Sequence, residues 1–219
     1  MLNVQENSRS EEQKETGRIE AFSDGVFAVA ITLLVLNIQP PVEHNLTDGQ
    51  LLIKLRDDWS IYLAFITSFA TIGIMWINHH RVFTHIKRSD NTLLLLNLLL
   101  LLAIIFIPFP TALMSDYINQ PGQHIAPLLY SGTFLFMAIC FNLLWRYASH
   151  NNRLLDPKTN PQEVRAITGQ YKYGPLFYIA ICVLVGIYPP VGVAANLLLS
   201  IFFAIPGRKL KEEEVSSLM

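Results

Sequence analysis

The chain alternates between long apolar blocks and short polar segments. Most blocks approach the roughly 20 residues that a helix needs to cross a bilayer, which predicts an all-α membrane protein. Pro189-Pro190 between the last two, shorter blocks predicts a tight turn, because proline interrupts a helix. We predict six transmembrane helices, at about residues 18–38, 61–81, 92–114, 126–147, 174–188 and 191–205.

The polar segments give the remaining organisation. We predict a disordered cytoplasmic tail at 1–17, one transmembrane domain at 18–206 and a charged cytoplasmic tail at 207–219. Between the first two spans, residues 51–59 alternate leucines with charges, which predicts a short helix along the membrane interface. The polar stretch at 148–171 predicts a surface linker.

The positive charges indicate an orientation. With a cytoplasmic N-terminus, 14 of the 16 Lys and Arg residues fall in inner segments, and the outer loops hold only Lys54 and Arg56. Cytoplasmic loops carry an excess of Lys and Arg, so this asymmetry predicts that both termini are cytoplasmic.

Composition supports a membrane protein and narrows the classes of function. The chain is 52% hydrophobic and 15% charged, whereas soluble domains carry about 25% charged residues. A net charge of −1 gives no indication of nucleic-acid binding. Cys140 and Cys182 lie inside apolar blocks, so we interpret them as packing residues without a disulfide.

The first span is unusual because Arg18, Ser23 and Asp24 lead into its apolar stretch. A charged side chain near the bilayer core costs roughly 2.5–3.5 kcal/mol, so such residues are candidates for function. Ser23 and Asp24 lie about 8–9 Å along the helix from Arg18.

The second span runs back and ends in polar residues at the same depth, and helices joined by one connection are usually neighbours. We therefore expect a polar cluster at the inner end that includes Arg18, Ser23, Asp24, Asn78, His79 and His80. The cluster either fixes the first helix against the second or binds an ion and relays protons. Since His79 and His80 point about 100° apart, we predict no metal site.

Past Asp24, one face of the first helix carries Val29, Leu33 and Leu36 at helical spacing. Such a stripe faces lipid, packs against another helix or lines a pore. Because the other spans are largely apolar, a pore inside one subunit would be hard to line. A pore on an oligomer axis needs only one such helix from each copy.

These residues resemble a known family. Arg18 with Phe22-Ser23-Asp24, the apolar run that follows, and Trp76 with the His pair are similar to bacterial members of the endosomal/lysosomal potassium channel family, transmembrane protein 175. The resemblance covers nearly the whole chain as a one-repeat, six-span form.

The resemblance implies a homotetramer in which four copies of the first helix line a central pore. Val29, Leu33 and Leu36 would then form the pore constriction, with Thr32 beside them as a candidate for cation selectivity. It also adds Trp76 to the inner polar network. A narrow apolar ring makes an ion shed part of its hydration, which favours potassium over sodium.

The expected function is a potassium-preferring cation channel in a bacterial plasma membrane, in contact with lipid. It has potassium as the permeant ion, no cofactor and no enzymatic activity. A proton-coupled or small-solute transporter that uses Asp24, His79 and His80 is the alternative. An intramembrane enzyme is less consistent with the sequence, because no nucleophile, base or metal-ligand set has the required spacing.

Overall fold

The computed structural model describes the backbone of residues 2–43, 45–118 and 120–204, and the side chains of residues 16–43, 45–118 and 120–203. The described part of the chain is helical apart from its connections and one isolated β-bridge. The helices are α1 (Leu2–Leu33), α2 (Asp48–Asp57), α3 (Trp59–His85), α4 (Asn91–Phe106), α5 (Pro108–Tyr117), α6 (Ile125–Ser149), α7 (Pro161–Lys172), α8 (Gly174–Ile187) and α9 (Pro189–Ala204). Short 3₁₀ helices follow α1 (Leu34–Asn37) and α6 (His150–Asn152).

Five helical segments of the described chain are long and apolar enough to cross a membrane. They are Thr16–Asn37, Trp59–His85, Asn91–Tyr117, Ile125–Asn152 and Pro161–Ile187. The last apolar helix, Pro189–Phe203, is shorter. The all-helical class is confirmed, whereas the sixth crossing stays a prediction.

The sequence predicts a polar tail at each end of the chain, and the structure describes only the first of the two. α1 begins at Leu2, so the backbone of residues 2–17 is helical where the sequence predicts a disordered tail. The predicted charged tail at 207–219 lies outside the described residues.

Residues 161–172 form helix α7, contrary to the surface linker that the sequence predicts. The Asn160 side chain accepts a 2.9 Å hydrogen bond from the Gln162 amide and caps the helix start. Pro161 occupies the first turn, where its missing N–H costs nothing. The fifth apolar segment therefore begins at Pro161 rather than Gly174 and changes helix at Tyr173.

The third apolar segment is broken at Ile107, where α4 passes into α5. Pro108 and Pro110 lack the N–H groups that a continuous helix needs, which accounts for the break. At this break the Asn37 side-chain amide donates a 3.1 Å hydrogen bond to the Pro108 carbonyl. The far end of the α1 segment is thus tied to the α4–α5 junction.

The predicted short helix in the first connection is present as α2. The Thr47 hydroxyl caps the Gln50 amide while the Gln50 side chain accepts from the Thr47 amide, which is a reciprocal capping box. Its position at a membrane interface stays a prediction.

α6 lies at the centre of the subunit and packs against α4, α5 and α8. Its large side chains Trp145, Tyr130 and Phe134 are fully buried. α3 packs against α1 on one side and against α5 and α9 on others, whereas α1 packs mainly against α3 and α4. α1 therefore lies at the margin of the bundle, with one side uncovered by its own subunit.

The final two apolar helices are joined by Tyr188 alone, as Pro189-Pro190 predicts. Close packing of this pair requires a glycine: a Cβ added to Gly192 would lie 2.8 Å from the Val185 Cα. Any larger residue there would separate α8 from α9.

Where α3 ends, the chain forms a short clasp with the segment after α6. Ile86 and Leu155 make the β-bridge. Asp90 begins α4 by accepting a 2.8 Å hydrogen bond from the Leu93 amide, and Tyr147 donates to the same carboxylate at 2.7 Å. Burial raises the pKa of Asp90, but these hydrogen bonds and the charge of Arg153 outweigh it and hold the pKa below its usual value.

Candidate functional site

The two faces of α1 have different surroundings. One face, with Ser23, Phe27 and Ala30, is buried against the subunit, and Leu34 continues it. The opposite face carries the predicted stripe. Exposed fractions along it are 50% at Val29, 37% at Leu33 and 66% at Leu36. The stripe therefore points away from the helices of its own subunit.

The three stripe residues remain aligned even though the helix changes type between them. Val29 and Leu33 are four residues apart in α-helix, which leaves them about 40° apart around the axis. Leu36 follows Leu33 by three residues across the start of the 3₁₀ turn, in which side chains three apart eclipse. The result is three aliphatic side chains at intervals of about 6 Å along the axis.

Thr32 lies beside the stripe and is exposed. Its hydroxyl is within 3.0 Å of the Ala28 carbonyl oxygen and 2.9 Å of the Val29 carbonyl oxygen, so it donates to its own helix. Because the hydroxyl proton is used in this hydrogen bond, the lone pairs of the hydroxyl oxygen remain available to a cation.

A buried hydrogen-bond chain at Ser23 fixes α1 to α3 and α4, before the apolar stripe begins. The Ser23 hydroxyl donates to the Ile19 carbonyl at 2.8 Å, and the Asn97 amide donates to Ser23 Oγ at 2.9 Å. His79 Nε2 lies 3.0 Å from Asn97 Oδ1. Ser23, His79 and Asn97 are each at most 2% exposed, so an unpaired member would be costly.

The order of donors along this chain determines the tautomer of His79. Because Asn97 uses its NH₂ group toward Ser23, its Oδ1 accepts, and His79 must carry its proton on Nε2. His79 Nδ1 has no hydrogen-bond partner among the described residues. The ring is stacked on Phe83 at 4.3 Å and tilted against Phe27 at 5.4 Å.

Two further pairs join α1 to α3 on the exposed side. The Trp76 indole N–H donates to Asp24 Oδ1 at 2.8 Å, and His80 Nδ1 lies 2.6 Å from Glu20 Oε1. Together with the buried chain they form the polar network, which consists of Glu20, Ser23, Asp24, Trp76, His79, His80 and Asn97.

Two residues that the sequence assigns to this cluster form no hydrogen bond or ion pair with it among the described residues. Asn78 donates to the Phe203 carbonyl at 3.3 Å and accepts from the Tyr171 hydroxyl at 3.1 Å, on the opposite side of α3. It lies about 200° around the helix from Trp76, whereas His80 lies only about 40° away. Arg18 is exposed and has no ion pair within the described part of the chain.

Sequence reasoning did not assign Glu20 and Asn97 to the network. Asn97 is the one polar side chain in the leucine-rich stretch 93–104, which was a usable signal. Glu20 lies one helical turn before Asp24 on α1, so its proximity to His80 could also have been anticipated. Among the described residues, no group of three or more His, Cys, Asp or Glu side chains could hold a metal ion.

The fold and this site define a multi-pass helical membrane protein in which hydrogen bonds to neighbouring helices hold one marginal helix. Residues 18–108 match the model of the family described as endosomal/lysosomal potassium channel TMEM175. A potassium channel of Chamaesiphon minutus is 47% identical over 194 residues, which cover 89% of this chain and 96% of that protein. The chain therefore belongs to the TMEM175 family, as its sequence motif indicates.

Other relatives agree with this assignment. A potassium channel of Streptomyces collinus is 39% identical, over 86% of this chain and 91% of that protein. The human endosomal/lysosomal proton channel TMEM175 is 34% identical, over 64% of this chain and 29% of the human protein. The crystal structure of a lysosomal potassium-selective channel TMEM175 homolog from Chamaesiphon minutus matches with a TM-score of 0.79 and 46% identity, over 88% of this chain and 97% of that one.

Proposed function

We propose that the protein is a potassium-preferring cation channel whose pore is lined by α1 from four copies of the chain. The observation that carries this proposal is the α1 stripe, which is apolar, aligned and turned away from its own subunit. The proposal is supported by the names of the relatives of similar length, which are potassium channels.

Around an oligomer axis, the stripe of each copy would face the same stripe of the other copies. Val29, Leu33 and Leu36 from each copy would form three successive aliphatic rings. Such a constriction gates by dewetting and makes an ion lose part of its water. Since potassium gives up hydration more readily than sodium, the rings favour potassium, and the Thr32 oxygen offers a polar contact between the first two rings.

The polar network keeps the stripe in register. α1 is fixed near Ser23 through Asn97 and near its other end through the Asn37 bond to Pro108. Between Asp24 and Asn37, no described side chain of this segment forms a hydrogen bond to another helix. The stripe is therefore positioned by its ends, and the bonds of Asp24 and Glu20 to α3 act at the start of the pore.

The same proposal includes placement in the membrane. Both termini lie in the cytoplasm of a bacterial cell, and the protein is in the plasma membrane in contact with lipid. The excess of Lys and Arg in the predicted inner segments supports this orientation.

The transporter alternative receives less support. A proton relay through Asp24, His79 and His80 needs these groups to exchange protons with one another. Asp24 is instead bonded to Trp76, His80 to Glu20 and His79 to Asn97, in three separate pairs.

Ion flux in liposomes tests the channel proposal. Purified protein should carry potassium faster than sodium down matched gradients. Leu33→Ala and Val29→Ala should raise total flux and lower the potassium-to-sodium ratio, because each widens one ring.

The matched control is Leu102→Ala, which truncates a leucine on α4 that is 58% exposed. It should leave both quantities at the wild-type values. Unchanged flux in both stripe variants would contradict the pore assignment. Proton-driven solute uptake without potassium flux would favour the transporter.

A further inference from the structure

A second polar feature lies on the side of α3 that faces away from α1. A partly open cavity of about 30 Å³ lies there between α3, α6, α9 and the α7–α8 junction. Its polar lining is Thr71, Asn78, Tyr171, Tyr178 and Ser200, and each of these residues is at most 6% exposed. The polar network does not include these residues.

The volume of the cavity limits the size of the molecule that it can hold. One water needs roughly 10–15 Å³ of cavity measured with a water-sized probe, whereas a site that admits benzene measures about 150 Å³. A cavity of about 30 Å³ thus holds about two waters and excludes an organic ligand.

The hydroxyl pair at one end of the cavity has spare acceptor capacity. Thr71 Oγ1 lies 2.8 Å from Ser200 Oγ and 2.8 Å from the Thr67 carbonyl, and Ser200 Oγ lies 2.9 Å from the Asn196 carbonyl. Two hydroxyl protons are shared among these three contacts, and the Tyr178 hydroxyl also hydrogen-bonds to Ser200, so an acceptor lone pair remains on Thr71 Oγ1 for an external donor.

Asn78, at the other end, has the complementary capacity. Its amide group donates one hydrogen to the Phe203 carbonyl, which leaves the second hydrogen available. Seven residues separate Asn78 from Thr71, or about 10.5 Å along the helix. Three hydrogen bonds of about 2.8 Å through two waters cover most of this distance.

Two further buried atoms lie one turn beyond the hydroxyl pair, outside the residues that line the cavity. Thr67 Oγ1 and Asn196 Oδ1 have no hydrogen-bond partner among the described residues, and both side chains are fully buried. α3 and α9 run parallel, because Thr71 contacts Ser200 while Asn78 reaches Phe203. Thr67 and Asn196 each precede the hydroxyl pair by four residues, so they lie on facing turns.

We propose that each subunit holds an internal file of water between α3 and α9, bounded by Asn78 at one end and by Thr71 and Ser200 at the other. The waters accept from Asn78 and donate to the hydroxyl pair. They join the final apolar helix to α3 through bridged hydrogen bonds. The file is separated from α1 by α3 and carries no part of the ion current.

A matched pair of substitutions at Ala138, which lines the cavity from α6, tests the proposal. Ala138→Val and Ala138→Thr add side chains of nearly equal volume, so any steric strain is common to both. In a hydrated cavity the Thr hydroxyl joins the waters, whereas Val removes them without replacing their bonds. The melting temperature of Ala138→Thr should exceed that of Ala138→Val by about 3 °C.

The result that overturns the proposal is an Ala138→Val melting temperature equal to or above that of Ala138→Thr, since filling a dry apolar cavity stabilises. A high-resolution map of the wild-type protein decides the matter directly. Ordered solvent between Asn78 and Thr71 supports the file, and continuous apolar contact there contradicts it. Potassium flux should be unchanged in both variants, which separates this proposal from the channel proposal.

Discussion

His79 Nε2 lies 3.0 Å from Asn97 Oδ1, and this single contact links α3 to the hydrogen-bond chain that holds α1 on α4. Each hydrogen bond between the His79 ring and the Ile19 carbonyl has a defined donor. His79 donates to Asn97, Asn97 donates to Ser23, and Ser23 donates to the Ile19 carbonyl. The buried chain therefore fixes both the tautomer of His79 and the rotation of α1. The orientation of the exposed stripe follows from this rotation.

Asn97→Leu should destabilise the folded protein by about 1–3 kcal/mol, because it leaves the His79 N–H without its acceptor and Ser23 without its donor in a buried site. Thermal unfolding of the purified protein measures the loss. Leu98→Ala is the control, since the neighbouring Leu98 side chain is half exposed. A melting temperature for Asn97→Leu no lower than that of the control would show that the buried hydrogen bonds through Asn97 do not hold α1.

Trp76→Phe should alter potassium flux with little change in melting temperature. The substitution keeps an aromatic ring but removes the N–H that donates to Asp24 at 2.8 Å. Exposed polar pairs add little to stability, whereas loss of this bond frees the Asp24 carboxylate to change its position at the pore entrance. Trp59→Phe, at an exposed tryptophan on the start of α3, is the control. Equal flux in both variants and in wild type would contradict this role.

Thr32→Val should lower the potassium-to-sodium permeability ratio while leaving total flux within about twofold of wild type. Valine has the shape of threonine but lacks the oxygen that we assign to cation contact. Reversal potentials under a potassium–sodium gradient measure the ratio. Thr133→Val is the control, because the Thr133 hydroxyl donates only to its own helix at the Leu129 carbonyl and is buried. An unchanged ratio would remove Thr32 from selectivity.

The stability that Asp90 contributes should decline in acid. Its folded-state pKa lies below the ordinary value of 3.8, so the carboxylate stabilises the fold above that pH, and the contribution is lost as pH falls through the folded-state pKa. Asp90→Asn should therefore melt below wild type near neutral pH, and the difference should shrink toward about pH 3. Melting curves across this range measure it. A difference that is constant with pH would contradict the assignment.

Much of the site could be anticipated from the sequence because depth in a membrane follows from residue position. Ser23 and Asp24 lie near the start of one helix, and Trp76 and His79 near the end of the next, so their contact follows from antiparallel packing. That Val29, Leu33 and Leu36 share one face of the helix likewise follows from helical spacing.

Two things are harder to predict from the sequence: the side of its helix on which a residue lies, and its hydrogen-bond partners far along the chain. Asn78 shares the depth of the network but faces α9, as a 100° step per residue requires. Its partners, Tyr171 and Phe203, lie far along the chain, so no local pattern connects them. The polar composition of residues 161–172 favours a linker over helix α7. Asn160-Pro161 is the local pattern that indicates a helix start there.

Cadmium block of a Leu33→Cys channel tests the central claim, that α1 side chains from several copies meet around the ion path. Thiolates are preferred ligands of soft metal ions, and a ring of cysteines would bind one ion across the pore. Wild type is the control for Cys140 and Cys182. The account predicts that micromolar cadmium reversibly stops potassium flux through Leu33→Cys but not through wild type. Full flux through Leu33→Cys in cadmium would contradict it.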